Sequence, residues 1–107
     1  MTWPLTRGQV VRADINLDEP KLFVVVSNNR RNAQLGDVLG ARLTTSRKPN
    51  IPSVVTFSPA DAFSGCVVCD DILPLYEDEI LGVLGAVSPH TMQRISRGLG
   101  AALGIGS

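Results

Sequence analysis

The segment KLFVVVS at residues 21–27 constrains the fold of this chain more than any other feature. It is nearly continuous in apolar residues and has the length of a strand, a pattern typical of a central strand covered on both faces. Segments rich in β-branched residues predict further strands at 9–14, 37–45, 53–57, 65–69 and about 82–87. Gly40 predicts a bulge or bend in the third strand. We expect a polar loop at 28–36, and at 70–79 an acidic connector with Pro74 and one helical turn.

One helix is predicted, near the end of the chain. Ser88 suits an N-cap, and Pro89 suits the first helical position, where its missing N–H costs nothing. Through residue 103, four apolar side chains at spacings of three and four share one face that we expect to pack on the sheet. They are Met92, Ile95, Leu99 and Leu103. Six short strands and one terminal helix predict a mostly β, α+β domain, built as a small twisted barrel or as two packed sheets.

Length and charge narrow the class further. The 107 residues correspond to a single domain, residues 1–107. Because no apolar stretch approaches the roughly 18 residues of a membrane helix, and residues 1–11 lack a secretory signal core, we expect a cytoplasmic protein without membrane association. Residues 1–50 carry eight basic and four acidic side chains, and residues 51–107 carry two and six. Two explanations fit this segregation of charge equally well: a positive surface that binds an anionic ligand, or basic side chains that are simply solvated at strand ends.

The cysteine and histidine content gives little support for a metal site or a catalytic triad. Cys66 and Cys69 form a C-x-x-C pair, but residues three apart on a strand face opposite sides, and only His90 is left as a further nitrogen ligand. We therefore expect two buried or half-buried thiols and no metal site. His90 lies in the first turn of the predicted helix, where a structural role is more common than a catalytic one.

Basic and hydroxyl side chains collect at the predicted strand ends. They are Lys21, Thr44, Thr45, Ser46, Arg47 and Lys48, with Asp70 after a later strand. Such a set suits a phosphodiester. RNA can be cut without a metal when its own 2′-OH attacks the phosphorus, because the protein then supplies only a proton acceptor, a proton donor and charge stabilisation. Composition alone leaves this as one hypothesis among several.

Five sequence blocks, in order, resemble the MazF/PemK-type toxins. RGQVV at 7–11 with AD at 13–14 is similar to that family's RGDVxxADL block, and KLFVVVSNN at 21–29 to its RPVLVVSND block. RLTTS at 42–46 resembles the block that ends the third strand, GCVVCDDI at 65–72 the G-V-V-x-C-D-Q-I segment, and LGAVSPHTM at 84–92 the LGRLSPETM entry to the last helix. The blocks cover nearly the whole chain, which makes their order far more specific than a single motif.

The resemblance implies an SH3-like barrel with a C-terminal helix, as in the CcdB and PemK toxins. It implies the toxin of a type II toxin–antitoxin pair, a homodimeric endoribonuclease that cuts single-stranded mRNA at short sequences without metal or cofactor. Cleavage in the family leaves 2′,3′-cyclic phosphate and 5′-hydroxyl ends, and a cognate antitoxin binds beside the dimer seam. Two alternatives stay open: a CcdB-like inhibitor of DNA gyrase, and a degenerate relative that binds RNA or antitoxin without turnover.

The resemblance also assigns catalytic positions. The family's catalytic arginine falls on Lys21, its catalytic threonine on Thr44, and the acid of its C-D-Q block on Asp70. In these roles Lys21 handles a proton or stabilises the phosphorane, Thr44 holds a phosphate oxygen, and Asp70 reads a base edge or orients Lys21. Lysine in place of arginine replaces a planar guanidinium group with an ammonium group, which acts as a point charge.

Further departures concern RNA binding. Val68 stands where some relatives carry a basic residue, a supporting role that Arg42 or Arg47 could take. The loop at 15–20 lacks the glycine-rich stretch with which many relatives cover the site, so we expect an open groove. Asp71 replaces a glutamine, which changes the pattern offered to a base. The expected RNA contacts, several of them in a loop near the site, are Asn28, Asn29, Arg30, Arg31, Arg42, Ser46, Arg47, Lys48 and Asp71.

Overall fold

The strands form one antiparallel sheet in the computed structural model, which describes residues 1–106. They are β1 (Gln9–Ala13), β2 (Lys21–Val25), β3 (Asp37–Thr44), β4 (Val54–Thr56), β5 (Cys66–Tyr76) and β6 (Ile80–Ala86). Helix α1 (Asn29–Gln34) joins β2 to β3, a 3₁₀ turn (Glu77–Glu79) joins β5 to β6, and helix α2 (Pro89–Leu103) follows β6. The strand order is β4-β5-β3-β2-β1-β6. The mostly β fold with a C-terminal helix is confirmed.

The sheet is open rather than closed into the expected barrel. Strands β4 and β6 are its edges, and no ladder of hydrogen bonds joins them within residues 1–106. The segment after β4 bridges the gap. Within it, the ring of Phe63 lies against Gly85 of β6 and 5.9 Å from the ring of Phe57, measured between centroids. Asp61 accepts a 2.7 Å hydrogen bond from the backbone N–H of Ser88, just before α2.

Strand β2 lies in the interior, as its apolar run predicts. Successive side chains of a strand point to opposite faces. Val24 belongs to the apolar cluster that contains Ile95 of α2, whereas Phe23 and Val25 belong to a second cluster with Leu75 of β5. One short strand therefore contributes to both cores, which explains why it has almost no polar position.

The stretch 28–36, predicted as a loop, contains helix α1, and that prediction is wrong. The side chain of Asn28 caps the helix by accepting a 2.8 Å hydrogen bond from the N–H of Arg31. Asn32 is buried: its Oδ1 accepts a hydrogen bond from the hydroxyl of Ser27, and its Nδ2 donates to the carbonyls of Ser27 and Leu5. Six residues are too few for a stable isolated helix, so α1 depends on these tertiary contacts.

Strand β5 does not end at Cys69, as the sequence suggested. It continues through Pro74 to Tyr76, and only then does the chain make the expected helical turn. The first part of β5 pairs with β4 on one side and β3 on the other, whereas the part around Pro74 pairs with β3 alone. A proline without an N–H is tolerated there because that side of the strand needs no donor.

Helix α2 begins and ends where the sequence predicts. The hydroxyl of Ser88 accepts a 3.2 Å hydrogen bond from the N–H of Thr91, which confirms the N-cap. The buried face centres on Ile95 and Gly98, however, and Leu103 is 63% exposed, so its predicted burial is wrong. None of the helices described between residues 1 and 106 has the length and apolar character to span a membrane.

Candidate active site

Lys21 and Thr44 lie opposite each other at the ends of two adjacent strands. Leu22 of β2 pairs with Leu43 of β3, and the antiparallel register places Lys21 beside Thr44 one residue further on. Directly opposed side chains point to the same face of a sheet. Both residues line one cavity of about 270 Å³. Its lining is Glu19, Lys21, Leu22, Arg42, Leu43, Thr44, Thr45 and Ser46.

Glu19 supplies a carboxylate that the sequence analysis missed. Its Oε1 atom lies 3.3 Å from Nζ of Lys21, and its side chain is 74% exposed against 24% for Lys21. An exposed ion pair of this kind stabilises the fold little. The pair matters more for chemistry, because it places a proton acceptor, the carboxylate of Glu19, beside a proton donor, the ammonium of Lys21, at one cavity. Residues 15–20 were interpreted from the sequence only as a loop, and Glu19 was given no role.

The end of β3 is held tightly at Thr44. The hydroxyl of Thr44 accepts a 3.1 Å hydrogen bond from the N–H of Ser46, which turns the chain as it leaves the strand. Gly65 crosses directly over this point with a positive φ of +95°, and a Cβ atom there would collide with the carbonyl oxygen of Thr44. The glycine therefore permits the close approach that fixes the position of Thr44.

Arg42 shares the face of Lys21. It is paired with Phe23 of β2 on one side and with Val68 of β5 on the other. Its Nη1 atom lies 3.9 Å from Oδ2 of Asp71, which is beyond hydrogen-bonding distance. The register of β3 against β5 shifts between Ala41 and Arg42. The extra residues at this shift belong to β5 and not to β3, so the bulge predicted at Gly40 is not observed.

That register shift determines where Asp70 and Asp71 lie. Ala41 pairs with Ile72 and Arg42 with Val68, so residues 69–71 form a bulge in β5. Oδ2 of Asp70 accepts a 2.6 Å hydrogen bond from the hydroxyl of Ser53. Asp70 is absent from the lining of the cavity around Lys21. The structure therefore brings Lys21 and Thr44 together but does not bring Asp70 to Lys21.

A second cavity continues from the first. It has a volume of about 310 Å³ and shares Thr45 and Ser46 with the cavity around Lys21. Arg47 and Lys48 line it and are exposed, as expected of groups that contact a polyanion. The two cavities adjoin at Thr45 and Ser46, and we refer to them together as the groove at the end of β3.

The asparagines and arginines of residues 28–31 lie elsewhere. Helix α1 follows the end of β2 opposite to Lys21, so the expectation of a loop near the site is wrong. Asn29 accepts a 2.7 Å hydrogen bond from the N–H of Arg7, and Arg31 forms a 2.6 Å ion pair with Asp37. Arg30 is exposed on the same helix. Asn29 and Arg31 therefore have structural partners at the far end of the sheet from Lys21.

The cysteines are buried thiols, as expected. Burial, with a smaller contribution from the charge of Asp70, raises the pKa of Cys69 to about 11. The thiol is therefore protonated at neutral pH, whereas metal binding and nucleophilic attack need the thiolate. Cys66 is also buried and free. Within residues 1–106 no three His, Cys, Asp or Glu side chains are arranged to hold a metal ion, and His90 is exposed at the start of α2.

Comparison with known proteins gives matches over nearly the whole chain. Residues 6–103 match the family model of the PemK-like, MazF-like toxin of type II toxin–antitoxin system. A protein of Mycobacterium tuberculosis named Endoribonuclease MazF4 is 44% identical over 105 residues, which cover 98% of this chain and 97% of the relative. A Mycobacterium bovis protein named Endoribonuclease MazF1 shows the same identity and coverage.

Solved structures agree with the sequence matches. The structure of an endoribonuclease from a mycobacterial species in complex with its cognate antitoxin superposes with a TM-score of 0.89 and 42% identity, covering 96% of this chain and 98% of that one. A MazE–MazF structure from Deinococcus radiodurans has a TM-score of 0.80 at 20% identity, covering 98% of this chain and all of that one. At that identity the second likeness concerns the fold alone.

Proposed function

The chain belongs to the PemK-like, MazF-like toxins of type II toxin–antitoxin systems, and from this membership we propose that it is an endoribonuclease that cuts single-stranded RNA at short sequences. The proposed toxin domain takes in residues 1–107. The observation that carries the proposal is that Lys21 and Thr44 line one cavity at the ends of adjacent strands. The relatives named as endoribonucleases, at 44% identity, support it independently.

The proposed reaction uses the RNA's own 2′-hydroxyl as nucleophile. Its oxygen bonds to the adjacent phosphorus while its proton passes to an acceptor in the cavity, and the bond from phosphorus to the 5′-oxygen breaks. That oxygen takes up a proton and leaves as a 5′-hydroxyl, with a 2′,3′-cyclic phosphate on the other fragment. In this scheme Lys21 moves a proton or stabilises the charged phosphorane, and the hydroxyl of Thr44 donates to a phosphate oxygen.

Asp70 and Asp71 have proposed roles in reading the substrate. Both lie in the bulge of β5, and bulges commonly redirect side chains beside active sites. Their carboxylates accept hydrogen bonds, which suits an exocyclic amino group of a base. The hydrogen bond from Ser53 would keep Asp70 in one orientation. The groove residues Ser46, Arg47 and Lys48 would bind the backbone phosphates, so that affinity falls as salt rises.

Two protein partners complete the proposal: a second copy of this chain and a cognate antitoxin. Strand β6 is an edge of the sheet, and Leu81 and Leu84 on it are each 51% exposed. An apolar edge strand of this kind is a natural pairing surface. The antitoxin would bind beside the seam and obstruct the groove, and the protein would act in the cytoplasm, where its mRNA substrate is found.

The test is RNA cleavage by purified, antitoxin-free protein in the presence of a chelator, with the fragment ends mapped. We expect discrete cuts with 5′-hydroxyl ends that Lys21→Ala abolishes. Arg12→Ala is the matched control, because it also removes one cation from a strand. Arg12 pairs with Leu22, the neighbour of Lys21, and therefore points to the opposite face. No cuts from folded protein would favour the gyrase inhibitor or the degenerate binder, which a supercoiling assay separates.

A further inference from the structure

We propose that Arg42 is a second catalytic cation of this site, which clamps the non-bridging oxygens of the scissile phosphate while Lys21 handles the proton. The inference rests on the proposed endoribonuclease function and assigns to Arg42 a role in the transition state rather than in RNA affinity alone. It also fits the lysine that stands where the family resemblance implies an arginine. In this proposal the guanidinium that holds the phosphate belongs to Arg42, two residues before Thr44 on the strand next to Lys21.

Three other arginines show what a structural arginine looks like in this fold. Arg31 donates to Asp37 at 2.6 Å and to the carbonyl of the same residue at 3.0 Å. Arg7 donates to Ser96 at 2.6 Å, and Arg94 donates to the backbone of β4 at 2.6 Å. Each guanidinium joins two elements of the fold through short hydrogen bonds.

Arg42 differs from all three. Its Nε atom is the one buried side-chain nitrogen or oxygen without a hydrogen-bond partner within residues 1–106. Its one ion-pair contact among residues 1–106, with Asp71, is 3.9 Å long, and half of the Asp71 side chain is exposed. A buried donor without a partner opposes folding, so a native structure that retains one needs a reason for it. Nε itself is shielded from solvent, but the side chain is 29% exposed, so an anionic substrate in the cavity that Arg42 lines would accept from its terminal N–H groups and offset the cost of burying the guanidinium.

The position of Arg42 fits a phosphate shared with Lys21. By the register, Lys21 is opposite Thr44, and Arg42 is two residues from Thr44 on the same face. Diagonal neighbours of this kind in an antiparallel sheet lie roughly 7–8 Å apart. Both side chains line the same cavity. One phosphate group can therefore contact the ammonium of Lys21, the guanidinium of Arg42 and the hydroxyl of Thr44 together.

The chemistry divides between the two cations. As the 2′-oxygen bonds to phosphorus, the non-bridging oxygens gain negative charge before the 5′-oxygen departs. The planar guanidinium donates two parallel hydrogen bonds to such oxygens and keeps its proton throughout. An ammonium is a point charge that exchanges a proton more readily. Arg42 thus stabilises charge and transfers no proton, which leaves Lys21 free to give or receive one.

Single-turnover cleavage with protein in excess over RNA tests this division of roles. Because removal of one donor to a developing oxyanion typically costs about 10²–10³ in rate, we expect Arg42→Ala to cut that much more slowly at saturating protein. Arg12→Ala, its control on the opposite face, should cut at the wild-type rate. The cleavage rate of Arg42→Lys should lie between those of Arg42→Ala and Arg12→Ala, since lysine keeps the positive charge but loses the planar guanidinium. Millimolar guanidinium chloride should partly restore Arg42→Ala, whereas equal potassium chloride should not.

The failures of the two proposals are distinguishable. If the wild-type protein does not cut RNA, the endoribonuclease proposal fails first and the role of Arg42 with it. If the wild-type protein cuts and Arg42→Ala cuts equally fast at saturation, only the role of Arg42 is overturned, even where its affinity for RNA is reduced. Circular dichroism of each variant checks folding. Should Arg42→Ala unfold, full activity of the folded Arg42→Lys variant overturns the clamp, and a rate loss at saturating protein supports it.

Discussion

Gly65 passes so close to Thr44 that any side chain at residue 65 would strike the carbonyl oxygen of Thr44. This contact joins the start of β5 to the end of β3 at the point where Thr44 enters the candidate active site. The hydroxyl of Thr44 is held from the other direction by the N–H of Ser46. The position of this threonine therefore depends on two backbone segments, at Ser46 and Gly65, that the sequence places 19 residues apart.

Replacing Gly65 by alanine should damage both stability and cleavage. The residue has φ of +95°, which L side chains rarely adopt, and the new methyl group would push the end of β3 away. Together the two effects should cost about 2–4 kcal/mol in the free energy of unfolding, measured by urea denaturation. Gly36→Ala is the control, because nothing lies within 4 Å of a Cβ there and the residue is away from β6. Equal stability of the two variants would contradict this account of Gly65.

The hydroxyl of Thr44 can be tested without disturbing its packing. Thr44→Val keeps the shape of the side chain and removes the donor, so we expect cleavage to fall by about 10²-fold or more with the fold retained. Thr44→Ser keeps the hydroxyl and should retain most of the rate. The measurement is single-turnover cleavage together with thermal melting of each variant. A fully active Thr44→Val protein would remove this hydroxyl from the mechanism.

Asp61 should make the stability of the protein sensitive to acid. Burial alone would raise the pKa of this carboxyl, but hydrogen bonds from the hydroxyl of Thr91, the N–H of Ser88 and both donors of Ser58 lower it to about 2. Since the folded-state pKa lies below the ordinary value of 3.8, the stabilisation is complete above that value. It is lost as pH falls from about 4 towards 2.

The variant Asp61→Asn provides the comparison. Because it keeps the size of the side chain and removes the charged acceptor, it should be less stable than wild type at pH 7 by about 2 kcal/mol. The difference should shrink between pH 4 and pH 2, where the wild-type carboxylate becomes protonated. Urea unfolding at a series of pH values measures both quantities. A difference that stays constant down to pH 2 would show that the hydrogen bonds do not depend on the charge.

The sequence predicted correctly those strands and helices whose position depends on residues close together in the chain. The apolar run of β2 and the Ser88–Pro89 start of α2 act within a few residues, and both were predicted within two residues of their bounds. The extension of β5 through Pro74 was not predicted, because a proline in a strand is acceptable only when the neighbouring strand ends before it. That information lies in the pairing with β4 and not in the segment itself.

The site was predictable in part for the same reason. Lys21 and Thr44 end adjacent strands, so the register that joins β2 to β3 brings them together. Asp70 could not be placed, because its direction depends on the bulge opposite Arg42, which only the pairing of β3 with β5 reveals. The unpartnered Nε of Arg42 is likewise a property of packing. No spacing along the chain encodes it.

The last prediction concerns the proposed homodimer. Leu84 lies on edge strand β6 and is 51% exposed. A charge buried in an apolar seam without a partner is strongly unfavourable, so Leu84→Glu should shift the protein towards monomer. Leu35→Glu is the matched control, because Leu35 is 52% exposed but caps helix α1, away from β6. Light scattering after size exclusion should give the wild type and the control a mass near twice 11.4 kDa. A dimeric Leu84→Glu protein would place the seam elsewhere, and dissociation by Leu35→Glu alone would place it at α1.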